Sequence, residues 1–178
     1  MTSPAGDNVE VALADATALD DLRPLWLALH HHHREVATFG PLLDDDAASW
    51  ARRRARYEEA LASARGILAV ARIAGAPVGY AFALLHPGPD DTFEYEGDAY
   101  GELYTLSVAP EARGRGIGTR LVACVEAELA RRGATVIEVA VMSGNRDAAR
   151  LYRRLGFEPS EELMRRPISG SPARTDSP

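Results

Sequence analysis

The sequence predicts a single α/β domain, mixed in the α+β sense, with a central β-sheet carrying helices on both faces. Three observations support this. The stretch from Glu102 to Met142 reads as strand, glycine-rich turn, helix and strand, a βαβ crossover that makes two neighbouring strands parallel. Upstream, Gly66 to Ile73 and Pro77 to His86 flank Ala74-Gly75, an antiparallel hairpin signal, so the sheet is mixed. A chain of 178 residues, 46% hydrophobic, is long enough for one sizeable core and too short for two full domains.

Met1 to Asn8 is small and polar and Ser169 to Pro178 is rich in Ser, Pro and Arg, so both ends are expected to be disordered around a domain spanning 9–168. Val9, Val11 and Leu13 alternate with Glu10 and Ala12 as a short strand does. Asp15 or Thr17 can cap the following helix, whose apolar stripe is Leu19, Leu22, Leu25, Trp26 and Leu29. Pro24 kinks that helix unless the helix starts close to it. Four successive histidines, His30 to His33, cannot converge on one ion because neighbouring helical side chains point about 100° apart. Only His30 and His33 share a face, and a partly exposed helix end is preferred to an acceptor-site role. Gly40-Pro41 breaks the chain before a second helix, led by Asp44 to Asp46 and running to about Ala64. Its basic run, Arg52-Arg53-Arg54-Ala55-Arg56, is followed at once by Glu58 and Glu59 and reads as a solvated face.

In the hairpin, Val78, Tyr80, Phe82 and Leu84 share one face, while Gly79, Ala81, Ala83 and Leu85 form a smaller face able to accept a close helix. The segment Asp90 to Tyr100 mixes acids with aromatics and could hold an ammonium group, although a solvated loop explains it as well. Glu102 to Val108 is the next strand, Thr119 to Arg132 a helix, and Thr135 to Met142 a strand apolar enough to be a buried parallel one. Asn145 caps a helix through Leu155, with Gly156 at its C′ position. Glu161 to Ile168 is a candidate final strand.

Composition removes several kinds of chemistry. All 20 basic residues are Arg, which excludes Lys Schiff bases and Lys general bases. A net charge of −6 argues against general nucleic-acid binding, and no apolar run is long enough for a membrane span or signal peptide. The lone Cys124 can form no intrachain disulfide, and a cytoplasmic location is the default. No metal site is expected.

The constructive signal is Arg113-Gly114-Arg115-Gly116-Ile117-Gly118-Thr119. Glycines there can turn backbone N–H groups inward where the next helix presents its unpaired N–H groups and positive dipole end. With two arginines beside it, the turn suits a pyrophosphate. A P-loop is excluded, because it requires Lys. A dinucleotide fingerprint fails at Thr119, which stands where its third Gly belongs, and Glu138 would be a mid-strand ribose acid.

The turn, followed by Asn145-x-x-Ala148-Ala149-x-Leu151-Tyr152-x-x-x-Gly156-Phe157, resembles the GNAT superfamily of acetyl-CoA-dependent acyltransferases. The resemblance covers Glu102 to Phe157 in detail. It implies a GNAT-like sheet splayed between its fourth and fifth strands, with acetyl-CoA between them and no metal. The pyrophosphate would lie on Arg113, Gly114, Arg115, Gly116, Ile117, Gly118 and Thr119, and the pantetheine arm along the backbone of Leu106, Ser107 and Val108, helped by Asn145, Ala148 and Tyr152. Leu106 and Val108 can be core residues at the same time, since the side chain packs while the backbone binds.

On such a fold the chain is an N-acetyltransferase in which a neutral amine attacks the thioester directly. Tyr152 is the general acid, unless it is merely a core aromatic, and Glu102 is the preferred general base ahead of Glu138. A non-catalytic acyl-CoA-binding module is the alternative. The expected acceptor is a small cationic amine rather than a protein, in a site lined by the first two helices and the 90–100 segment. A homodimer is common in such families.

Overall fold

The computed structural model describes residues 8–40, 42–88 and 97–166. Five strands, β1 (Val9–Ala14), β2 (Gly66–Ile73), β3 (Ala76–Pro87), β4 (Ala99–Val108) and β5 (Ala134–Glu138), lie in the sheet in their order along the chain. Every pairing is antiparallel except β4 with β5. The helices are α1 (Arg23–Val36), α2 (Asp46–Ala62), α3 (Ile117–Arg131) and α4 (Arg146–Arg154). The mixed sheet and single domain follow the expectation.

Helices α1 and α2 cover one face. Tyr57 of α2 stacks on Phe82 of β3 at 4.0 Å between ring centroids and donates its hydroxyl to Thr105 of β4 at 2.6 Å, while Ser107 donates to the Leu25 carbonyl of α1. Full burial of a side chain such as Phe82 contributes about 1.5–3 kcal/mol, so these contacts anchor β3 and β4 firmly. Helix α3 covers the opposite face: Leu129 sits against Gly101 and Leu121 against Gly79, where the small residues leave room.

Several boundaries differ from the sequence reading. A 3-10 turn over Ala16–Leu22, capped by Asp15, precedes α1, so Pro24 falls in the first helical turn and no kink is needed. The last strand stops at Glu138 instead of Met142 and is only half-buried, because β5 is an edge strand that loses its partner there. Residues 161–166 form no strand. Leu163 and Met164 are 74% and 80% exposed, so the segment docks no apolar face on the core. The expectations for residues 1–7, for the acidic stretch up to Glu96 and for residues 167–178 lie outside the described residues. Among the described residues no helix is long and apolar enough to cross a membrane.

Candidate active site

Strands β4 and β5 pair only from Ala99↔Ala134 to Glu102↔Glu138; beyond that point β4 continues to Val108 and β5 has ended. This leaves a wedge with one wall of strand backbone. The Ala109 N–H donates to the Val78 carbonyl, which fixes the alternation of the β3–β4 ladder. Leu106 and Val108 then fall at non-hydrogen-bonded pairs with Ala81 and Gly79, so their N–H and C=O groups point away from β3 into the wedge. The Val108 carbonyl accepts from Arg113 Nε at 3.1 Å. Ser107 directs its hydroxyl to Leu25 and, by alternation, its backbone to β3, and so acts as the spacer between the two wedge-facing residues.

Tyr104 is the extra residue of a β-bulge: Phe82 pairs with Thr105 and Ala83 with Leu103, leaving it without a partner on β3. The bulge puts both Tyr104 and Thr105 on the α1/α2 side, where their side chains meet Arg53 and Tyr57. It re-aims the strand at the mouth of the wedge.

The wedge leads to the glycine turn. Gly114 and Gly116 adopt φ of 75° and 72°, conformations that L side chains rarely tolerate, and nothing lies within 4 Å of where a Cβ would stand on either. Gly116 is the N-cap of α3, and its carbonyl accepts from the Arg120 N–H, which leaves the first-turn N–H groups of Ile117, Gly118 and Thr119 without intrahelical acceptors. Ile117 is buried, so it can offer a ligand only its N–H; Thr119 is exposed. An open, positively polarised concavity of this kind fits a pyrophosphate.

Helix α4 docks on the same corner. The side chains of Leu151, Leu106 and Val108 all approach within about 4.0 Å of a Cβ placed on Gly118, joining α4, β4 and the start of α3. Asn145 caps α4 by accepting from the Ala148 N–H at 3.1 Å. Tyr152 lies edge-on to Phe157, 5.5 Å between centroids, and its hydroxyl has no hydrogen-bond partner among the described residues. Burial pushes its phenol up to about 12.

Around Glu102 the sequence left gaps. Glu102 Oε2 shares a 3.0 Å hydrogen bond with His86 Nε2 of β3, and the His86 ring stacks on Tyr100 at 4.8 Å. The parallel register sets Glu138 directly beside Glu102, so both candidate bases stand at the last rung before the strands part. The link from His86 to Glu102 depends on the β3–β4 register, which no local motif encodes.

The α1/α2 side departs most from expectation. Arg53 is not solvated: its guanidinium lies 4.2 Å from the Trp26 ring centroid and 4.5 Å from that of Tyr104, and its Nη1 is buried with no hydrogen-bond partner among the described residues. Leaving such a donor unsatisfied costs about 1–3 kcal/mol or more. The reason is helical phase, because Arg53 shares the inward stripe of Trp50 and Tyr57; Arg54 points outward to Asp20 and Glu58 as a solvated residue should. That i, i+3, i+7 stripe was the available signal.

A cleft of about 340 Å³ opens here, lined by Arg52, Arg53, Arg56, His33, Tyr104 and Met142 among others. His30 is also buried: it stacks on Trp26 and its Nε2 bonds the Leu43 carbonyl at 2.7 Å. Burial, with help from His32, Arg53 and His30, pushes His33 down to about 4. His30 and His33 thus share a face that turns toward the cleft, while His31 bonds Asp46 outside it. Among the described residues no group of three or more His, Cys, Asp or Glu is arranged to hold a metal.

Known proteins resemble this arrangement. The chain is 31% identical to a mycothiol acetyltransferase of Pseudarthrobacter chlorophenolicus over 88% of its own length and 47% of that protein's. It is 28% identical to another, from a Nocardioides species, covering 91% of this chain and 53% of that one. The chain therefore spans about half the length of these relatives. A GCN5-related N-acetyltransferase from Ralstonia eutropha superposes with a TM-score of 0.71 at 26% identity, covering 92% of this chain and all of that one. An aminoglycoside N-acetyltransferase solved with CoA shares the fold at a TM-score of 0.69 and 22% identity, over 94% of this chain and 99% of its own. The model of the acetyltransferase (GNAT) family matches residues 26–157, from α1 through the wedge, the glycine turn and Tyr152, and the chain belongs to that family.

Proposed function

We propose that the chain is an acetyl-CoA-dependent N-acetyltransferase that passes an acetyl group to the primary amine of a small molecule by direct attack. The observation that carries this reading is the wedge itself: wedge-facing backbone groups at Leu106 and Val108 run straight into a glycine turn at a helix N-terminus. Acetyl-CoA supplies the activated acyl group as a thioester.

The residues of the chain then divide the work. The turn from Arg113 to Thr119 binds the pyrophosphate through backbone N–H groups, and Leu106 and Val108 hold the extended arm as an added strand would. The Leu106 N–H polarises the acyl carbonyl. Glu102, steadied by His86, takes a proton from the incoming ammonium directly or through one water. Tyr152 donates a hydrogen bond to the departing sulfur. With its phenol near 12 against a thiol reference of ~8.5, full proton transfer would be uphill by about 5 kcal/mol, so Tyr152 assists while the bond breaks instead of surrendering its proton beforehand.

The test is release of CoA from acetyl-CoA with a panel of small amines, for the wild type and Tyr152→Phe. A drop in kcat of about 10- to 100-fold at nearly constant affinity for CoA supports the assignment. Unchanged turnover removes Tyr152 from the mechanism. Binding of acetyl-CoA without turnover on any amine leaves the non-catalytic module.

A further inference from the structure

The acceptor cleft has an unusual electrostatic character for so acidic a chain. Three arginines of one helix, Arg52, Arg53 and Arg56, line it, and among the described residues no acid does. Arg54 of the same helix is paired with Asp20 and Glu58, so this surface does neutralise an arginine where a ligand has no need of it. The arginines that face the cleft form no ion pair among the described residues.

Arg53 gives the cleft direction as well as charge. Trp26 and Tyr104 hold its guanidinium by their ring faces, and Trp26 is itself fixed through its indole N–H to Ser49 at 3.1 Å. Ring faces engage the π-surface of the cation and leave the in-plane N–H donors unanswered. One of them, Nη1, is buried without an acceptor among the described residues. A planar anion able to take two parallel N–H bonds is the complement of such a fork.

Tyr104 ties this subsite to the chemistry. Two residues before it on β4, about 6–7 Å along the strand, is Glu102. A ligand lying across Tyr104 meets an anion-binding fork on one side and the candidate base on the other.

We propose that the acceptor is an amine that also bears a carboxylate, an amino acid or a small derivative of one, whose carboxylate sits on Arg53 with Arg52 and Arg56 at the rim. This rests on the N-acetyltransferase reading and narrows its substrate class. The neutral His33 adds a polar wall to the cleft without adding charge.

The experiment compares the standard amino acids, each as free acid and as carboxamide, with O-phosphoethanolamine as a phosphate-bearing control, by CoA release and by quenching of tryptophan fluorescence. At least one free acid should exceed its amide by about 10-fold or more in kcat/KM, and Arg53→Met should shrink that ratio to within about 3-fold. Arg56→Gln, at an exposed position where folding is not at issue, should reduce the ratio by about 3-fold. Quenching that saturates with a free acid and is lost in a folded Arg53→Met, without turnover, supports the subsite and counts against acetyl transfer. Equal use of acids and amides, preference for the amide or the phosphate, or neither binding nor turnover of any acid overturns the proposal.

Discussion

The two ends of the wedge offer a ligand different means of recognition. On the α3/α4 side, binding is assigned to backbone: N–H groups at the start of α3, strand edges at Leu106 and Val108, and two glycines held at positive φ. On the α1/α2 side it is assigned to side chains, Arg53 between Trp26 and Tyr104 with Arg52 and Arg56 nearby. Backbone recognition tolerates most substitutions that keep the turn. Side-chain recognition changes with every residue, which suits one cofactor shared by a family whose acceptors differ.

The sharpest way to break this contrast inside the catalytic step is Glu102→Gln. It keeps the shape of the His86 contact and removes the carboxylate assigned as base, and kcat should fall about 100-fold at pH 7, with part of the loss recovered as pH rises and the amine deprotonates unaided. A flat response would move the role to Glu138 or to water. His86→Ala should cost less, about 5- to 10-fold in kcat, because it loosens the base without deleting it. The smallest effect concerns stability. His33 is held near 4, below its ordinary 6.5, so the fold favours the neutral ring. That contribution is complete above about pH 6.5 and is lost as pH falls toward 4, amounting to at most about 3 kcal/mol and less after solvent screening. Denaturant titrations of wild type and His33→Gln should diverge below pH 6.5 and run parallel above it; parallel curves throughout would show that the ring is not desolvated.

The same contrast explains what could be read in advance. The Arg113–Gly118 turn and the Asn145–Phe157 segment are each a local stretch of sequence, because a turn with left-handed residues at a helix start needs its glycines within a few positions of one another. The hairpin at Ala74-Gly75 and the crossover from β4 to β5 were legible for the same reason. The cleft draws Trp26, Arg53, Tyr104 and Met142 from four separate segments. The β4 bulge and the packing of α1 against α2 bring the first three together, and the segment after β5 adds Met142. Arg53 was hidden inside a run of arginines, where composition suggests solvent and only the phase set by Trp50 and Tyr57 says otherwise. The strand expected to reach Met142 ended at Glu138 because strand length depends on a partner, and β4 parts from β5 there.

Calorimetric titration of acetyl-CoA into wild type and Gly116→Asp tests the account most directly. An Asp at this position would need a strained left-handed backbone and would set a carboxylate against the pyrophosphate at the mouth of α3. The account predicts saturable binding to the wild type and a loss of about 100-fold or more in affinity for the folded variant. Undiminished binding to Gly116→Asp would contradict it, since the glycine turn would then not be where acetyl-CoA is held.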